Sequence, residues 1–91
     1  MTNSGFVPLE HIVATQLDDG AGVLVDLNTR QYYQLNETAM LIWRALENGH
    51  PFDQIVAEII TVYAVGNEHA VTSARRLLNK FQERKLVRSA E

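Results

Sequence analysis

The 91-residue chain has no cysteine, only two prolines, a single tryptophan and no long apolar run. Without cysteine there is no disulfide framework, no thiolate zinc site and no cysteine nucleophile. The longest apolar stretches fall far short of the roughly 18 residues that a membrane-spanning helix needs. The opening residues, Met1 to Leu9, contain no basic segment followed by an apolar one, so no signal peptide is expected. A cytoplasmic protein with no membrane association is the reading that these absences favour. The length allows one domain and not two, with a modest core. An apolar content of 46% is that of a folded protein and not of a disordered segment.

The search for chemistry is also short. His11, His50 and His69 are scattered, and no two stand at the i, i+4 spacing of a helical metal site, so no metal is expected. The glycines mark turns and ends of elements and form no phosphate-cradling loop. Ser4, Ser73 and Ser89 lack a nucleophile-elbow context. Asp18 and Asp19 lie next to Gly20, where acidic side chains serve a turn better than acid–base catalysis. The site checklist thus leaves no catalytic residue and no cofactor, and points to binding.

Charge is unevenly placed. Residues 1–74 hold nine acids and two bases, whereas residues 75–91 hold six bases and two acids. Such asymmetry points to a polar partner at the basic end, or to an ordinary solvated helix face.

The order of elements follows from periodicity. Residues 11–17 are rich in β-branched side chains and read as a strand, and Asp18–Gly22 as a turn. Residues 23–27 read as a second strand, with Val23, Val25 and Leu27 on one face. Residues 31–35 read as a third, after the short turn Asn28-Thr29-Arg30. The period then changes to helical. Asn36 caps a first helix that Gly49 and Pro51 end, with Ala39, Ile42, Trp43 and Leu46 on its apolar stripe. A second helix runs from about Phe52 to Tyr63, on the stripe Phe52, Ile55, Val56, Ile59, Ile60 and Tyr63. Gly66 and Asn67 break and recap the chain. A third helix follows from about Glu68 to Arg84, with Ala70, Ala74, Leu77, Leu78 and Phe81 buried, and Leu86 and Val87 tuck the tail back. The expected fold is α+β: a three-stranded antiparallel sheet followed by three helices, which can be drawn as a winged helix-turn-helix-like unit. Residues 1–10 are expected to be a flexible N-terminal segment, 11–88 the domain and 89–91 a tail.

Two features stand out. Tyr32 and Tyr33 are adjacent in a strand, so their rings point to opposite faces and one of them must leave the core. The strand itself, Gln31–Leu35, ends the meander and is expected at a sheet edge, with no Pro or Lys to blunt it. An open edge can accept a peptide as an added strand, can be covered by the chain's own tail, or can pair with a second copy. On the third helix, Arg76, Lys80 and Arg84 recur at i, i+4, i+8, and Arg75, Asn79 and Gln82 occupy the other flank. A basic last helix also suits DNA recognition, which is the alternative function, although the acidic chain as a whole argues against nucleic acid.

These residues resemble a family. Val23-Leu-Val-Asp-Leu-Asn-Thr-Arg-Gln-Tyr-Tyr-Gln-Leu-Asn36 is similar to the strand–turn–strand segment of PqqD-like proteins, the precursor-peptide recognition elements. Glu37 to Gly49 is similar to the family's first helix, and Leu35-Asn36 with Ile42-Trp43 is the most distinctive part. The resemblance spans about residues 11–88. It implies a sheet packed on three helices in a winged-helix-like arrangement, and a domain that binds the leader of a ribosomally made peptide on its third strand. That places the docking edge at Gln31, Tyr32, Tyr33, Gln34 and Leu35. The opposing helix is expected to contribute Val71, Arg75, Leu78, Asn79 and Gln82. A separate modifying enzyme, such as a cysteine protease or a radical enzyme, would receive the peptide. Pro51, Ser73 and Lys85 depart from the family's pattern, which often has a Ser or Thr cap, an acidic residue and a Gly at these places. The Tyr-Tyr-Gln-Leu-Asn segment is closer to free-standing lasso-peptide leader-binding proteins than to the quinone-cofactor pathway member.

Overall fold

The computed structural model describes residues 5–89. Five strands and three helices follow in the order β1 (Phe6–Pro8), β2 (Ile12–Gln16), β3 (Gly22–Asp26), β4 (Gln31–Leu35), α1 (Glu37–Glu47), α2 (Phe52–Tyr63), α3 (Asn67–Glu83) and β5 (Val87–Ser89). The architecture is α+β. Strands β2, β3 and β4 form an antiparallel sheet in that spatial order, and β1 pairs with β5 in a separate antiparallel ladder.

The second ladder reaches into both segments expected to flank the domain, at Phe6–Pro8 and at Ser89. Residues 6–8 belong to the folded unit, because Val7 pairs with Arg88 and Leu9 N–H donates to Leu86 C=O at 3.1 Å. Of the segment 1–10 expected to be flexible, residues 1–4 lie outside the described residues, as do 90–91 of the tail.

The three-stranded sheet buries one face. Leu24, fully buried, sits in register between Ala14 and Tyr33, and Gly22 lies opposite Leu35. The inward face of β3 is therefore that of Gly22, Leu24 and Asp26. The face of Val23, Val25 and Leu27, grouped from sequence, is the outer one, and Leu27 is exposed. Gly22 is needed where it stands. A Cβ there would collide with Met40 Sδ and lie 2.9 Å from Thr15 C=O.

The β3–β4 turn is built on a buried carboxylate. Asp26 Oδ1 accepts the N–H groups of Asn28 (2.9 Å) and Thr29 (3.2 Å), and Arg30 closes the turn with φ 64° and N–H donation to Asp26 C=O. Burial raises the Asp26 pKa, but the Thr29 and Asn28 N–H groups and nearby His11 outweigh it and hold the carboxyl below its usual range.

The helices start and stop by recognisable devices. Asn36 Oδ1 accepts Ala39 N–H at 2.9 Å and caps α1. Gly49 at φ 74° ends it, with Gly49 N–H on Leu46 C=O and His50 N–H on Ala45 C=O, a Schellman motif. Pro51 and Gly66 precede α2 and α3 without a side-chain cap, so Asn67, read as a recapping residue, is the first helical one. The end of α3 repeats the Schellman pattern with a lysine in the glycine place: Lys85 has φ 59°, and Leu86 N–H donates to Phe81 C=O. Trp43 is fully buried at the centre. It meets Phe81 edge-to-face at 5.4 Å and donates its indole N–H to Glu47 at 3.0 Å.

Candidate peptide-binding groove

Strand β4 is an edge. Among the described residues no strand pairs with it on the side away from β3. The ladder decides which of its backbone groups are free. Leu17 N–H donates to Ala21 C=O and Leu27 N–H to His11 C=O, so the odd-numbered residues of β3 bond to β2. Backbone groups alternate sides along a strand, so Gly22, Leu24 and Asp26 turn theirs to β4, opposite Leu35, Tyr33 and Gln31. The N–H and C=O groups of Tyr32 and Gln34 consequently face the open edge.

The side chains alternate in the orthogonal direction. Tyr33 and Leu35 point toward the helices, half-buried and buried, whereas Tyr32 is 73% exposed on the outer face. The adjacent tyrosines are thus split as their spacing requires. Tyr33 is fixed by donation of its hydroxyl to Gln31 Oε1 at 2.7 Å and by the Arg84 guanidinium, 5.6 Å from its ring centroid.

Beside this edge runs a groove of about 400 Å³, bounded by β4 from Tyr32 to Leu35 and by Leu77, Lys80, Phe81 and Arg84 of α3. Its floor is apolar, with Leu35, Ala39 and Phe81 nearly inaccessible to solvent. A smaller hollow between Asn36, Thr38, Ser73, Arg76 and Leu77 continues it past the end of β4. Asn36 and Leu77 line both.

Of the residues expected at the peptide site, Tyr32 to Leu35 line this groove, whereas those of the helix lie elsewhere on α3. At about 100° per residue, Val71, Arg75, Asn79 and Gln82 stand about 100–180° around the helix from Lys80 and Arg84. Arg75 lies 5.1 Å from the Phe52 ring centroid, on the α2 side. Val71 is half-buried, Leu78 is in the core at 3% exposure, and Asn79 and Gln82 are solvent-exposed outside the groove. By periodicity alone, the residues that do form the wall belong to the core (Leu77, Phe81) or to a DNA-facing stripe (Lys80, Arg84). Their pairing of apolar and basic side chains at i, i+3 and i+4 is the signal that could have found them.

The remaining polar groups are local. His11 lies 3.7 Å from Asp26 and His50 2.9 Å from Glu58. Among the described residues no cluster of three or more His, Cys, Asp or Glu side chains is placed to hold a metal ion, and no helix is long and apolar enough to cross a membrane.

Comparison with known proteins adds two findings. The sequence pattern of the family described as PqqD, Coenzyme PQQ synthesis protein D, matches residues 21–87. Among solved structures, the chain is similar to "TbiB1 in Complex with the TbiA(beta) Leader Peptide", with TM-score 0.85 and 26% identity over 93% of this chain and 98% of that one. It is likewise similar to "Lasso peptide synthetase B1 complexed with the leader peptide", with TM-score 0.82 and 28% identity over 92% and 98%. No curated protein matches the chain.

Proposed function

The chain belongs to the PqqD family, and on that premise we propose that it captures the leader region of a ribosomally synthesised precursor peptide and presents it to a separate enzyme, without catalysing a reaction itself. The observation that carries the reading is the open edge of β4 beside a preformed groove, in a fold shared over more than nine-tenths of its length with two proteins determined with leader peptides.

The mechanism is strand addition. The leader extends along β4 and exchanges backbone hydrogen bonds with Tyr32 and Gln34, which supply affinity whatever the leader's side chains. Alternate side chains of the leader then enter the groove over Leu35, Leu77 and Phe81, and the others join Tyr32 on the outer face. We therefore place the peptide site at Gln31–Leu35 with Leu77, Lys80, Phe81 and Arg84, in preference to Val71, Arg75, Leu78, Asn79 and Gln82. Holding the leader raises the local concentration of the peptide at the enzyme that modifies or cleaves it. That enzyme is a separate chain, a leader peptidase of the cysteine-protease type or a radical enzyme, and the work takes place in the cytoplasm, where the precursor is made. The DNA-binding alternative has less support, because the basic stripe it requires on a projecting surface lines concavities.

The test is titration with the leader of the protein's own precursor while backbone amide signals are followed. Tyr32, Gln34 and the Leu77–Arg84 stretch shift together, and the Tyr32 and Gln34 amides gain exchange protection. Unmoved β4 signals at saturation refute strand addition.

A further inference from the structure

We propose that the peptide captured on β4 presents carboxylate side chains at three alternate positions, i, i+2 and i+4, to the basic wall of α3. The proposal rests on the strand-addition reading and names the class of peptide that the groove selects.

The first observation is that the wall's cations have no counter-ion among the described residues. The ion pairs among the described residues are His11–Asp26, Arg44–Glu47 and His50–Glu58, and none uses Arg76, Lys80 or Arg84, all of which are exposed. The contrast is with Arg44, whose guanidinium meets Glu47 at 2.8 Å. By sequence, residues 1–74 are net acidic and residues 75–91 net basic.

The second observation is direction. Arg84 stacks over Tyr33, and Arg76 lines the hollow with Asn36 and Thr38, just beyond the end of β4. Lys80 lies between them in the groove. The three cations therefore run along the strand rather than across it.

The third is spacing. Residues four apart on a helix rise by about 6 Å, and alternate residues of a strand repeat every 6.6 Å or so. From Arg76 to Arg84 the helix advances about 12 Å, while four strand residues advance about 13 Å. The difference is within reach of flexible lysine and arginine side chains. Only the alternate side chains of an added strand turn to the helix, so a period of two in the peptide meets a period of four in α3. The apolar floor of Leu35, Leu77 and Phe81 accommodates methylene groups below the charges, which favours glutamate over aspartate.

The test does not require the natural leader. A displayed library of random twelve-residue peptides is selected against the full chain, and the winners are synthesised with their glutamates changed to glutamine singly and together. Selected peptides are expected to carry acids at i, i+2 and i+4. Each change should weaken binding up to about fivefold, as for exposed ion pairs, and the set should weaken it on the order of tenfold, with the loss shrinking at about 0.5 M salt. The triple variant Arg76→Gln, Lys80→Gln, Arg84→Gln should lose the preference, and the peptide series on the unaltered chain stands by itself if that variant does not fold. Winners without alternating acids that still shift the Tyr32 and Gln34 amides overturn the charge register and leave strand addition standing. Winners that leave those amides unmoved overturn both.

Discussion

A proline at residue 34 separates the two sides of β4. The backbone N–H of Gln34 faces the open edge, whereas the ladder to β3 runs through Tyr33 and Leu35, opposite Leu24 and Gly22. Gln34→Pro thus removes a donor that the folded chain does not use. Proline is tolerated on an edge strand where its missing N–H would have faced solvent, and Tyr33 is already in the extended conformation that a residue before proline prefers. The expected cost to stability is under about 1 kcal/mol. The cost to binding is larger. A backbone hydrogen bond to the leader, worth about 0.5–1.5 kcal/mol net, is lost, and the leader carbonyl left without a donor adds about 1–3 kcal/mol. A combined loss near 2–3 kcal/mol corresponds to about 30- to 150-fold weaker affinity. The assay is calorimetric titration with the leader, alongside thermal unfolding of each variant. Gln34→Ala, which keeps the N–H, is the control and should bind within about threefold of the parent, since only an exposed side chain is lost. If Gln34→Pro unfolds near the parent's temperature and still binds with undiminished affinity, the leader does not add to β4 and the reasoning fails.

Other outcomes follow from single positions. Lys85→Gly relieves a left-handed residue at the end of α3 (φ 59°) and should stabilise the fold by about 1 kcal/mol, raising Tm by about 4–8 °C in a chain of this size; an unchanged or lower Tm by calorimetry counts against it. Gly22→Ala drives a methyl group into Met40 and the Thr15 carbonyl and should destabilise by about 1–3 kcal/mol in urea unfolding. Asp26 has its folded pKa lowered, so its ionised form stabilises the fold above the ordinary carboxylate pKa, and that contribution disappears as pH falls through the folded value. Asp26→Asn should therefore be less stable than the parent at neutral pH, with the gap closing as pH drops below about 4. A gap that stays constant from pH 7 to pH 3 would show that the charge of Asp26 is irrelevant to the turn.

The limits of sequence reading lie where local pattern stops deciding. The ends of α1 are legible because each carries its own chemistry: Asn36 accepts Ala39 N–H, and Gly49 takes a positive φ. The split of Tyr32 and Tyr33 is legible because a period of two permits nothing else. The strand β1 is not, since three residues hold no periodicity and its partner β5 lies some eighty residues away in the chain. Which face of β3 is inward is ambiguous in sequence, because Val23 and Val25 are as apolar as Leu24; the close approach of Met40 to Gly22 decides it. The rotation of α3 is ambiguous for a related reason. Apolar residues at 70, 71, 74, 77, 78 and 81 make a stripe wide enough to have two flanks, one of which had to face α2 and the other β4. Packing of Arg75 on Phe52 takes the first, leaving Leu77, Lys80 and Arg84 for the groove.

The segment on which the family likeness chiefly rests, Leu35-Asn36 and Ile42-Trp43, joins the fold to the site. Leu35 ends β4 and forms part of the groove floor; Asn36 caps α1 and borders both hollows. Trp43 touches neither, yet it braces Phe81 edge-to-face, and Phe81 is at once core, at 2% exposure, and groove floor. The floor of the groove at Leu35 and Phe81 is therefore held by the core. If a peptide binds there as proposed, it does not have to order that floor, which lowers the entropic cost of binding. The same coupling makes structural residues indirect determinants of affinity: shrinking Trp43 would loosen Phe81 and with it the helix side of the site, although no leader atom would meet residue 43.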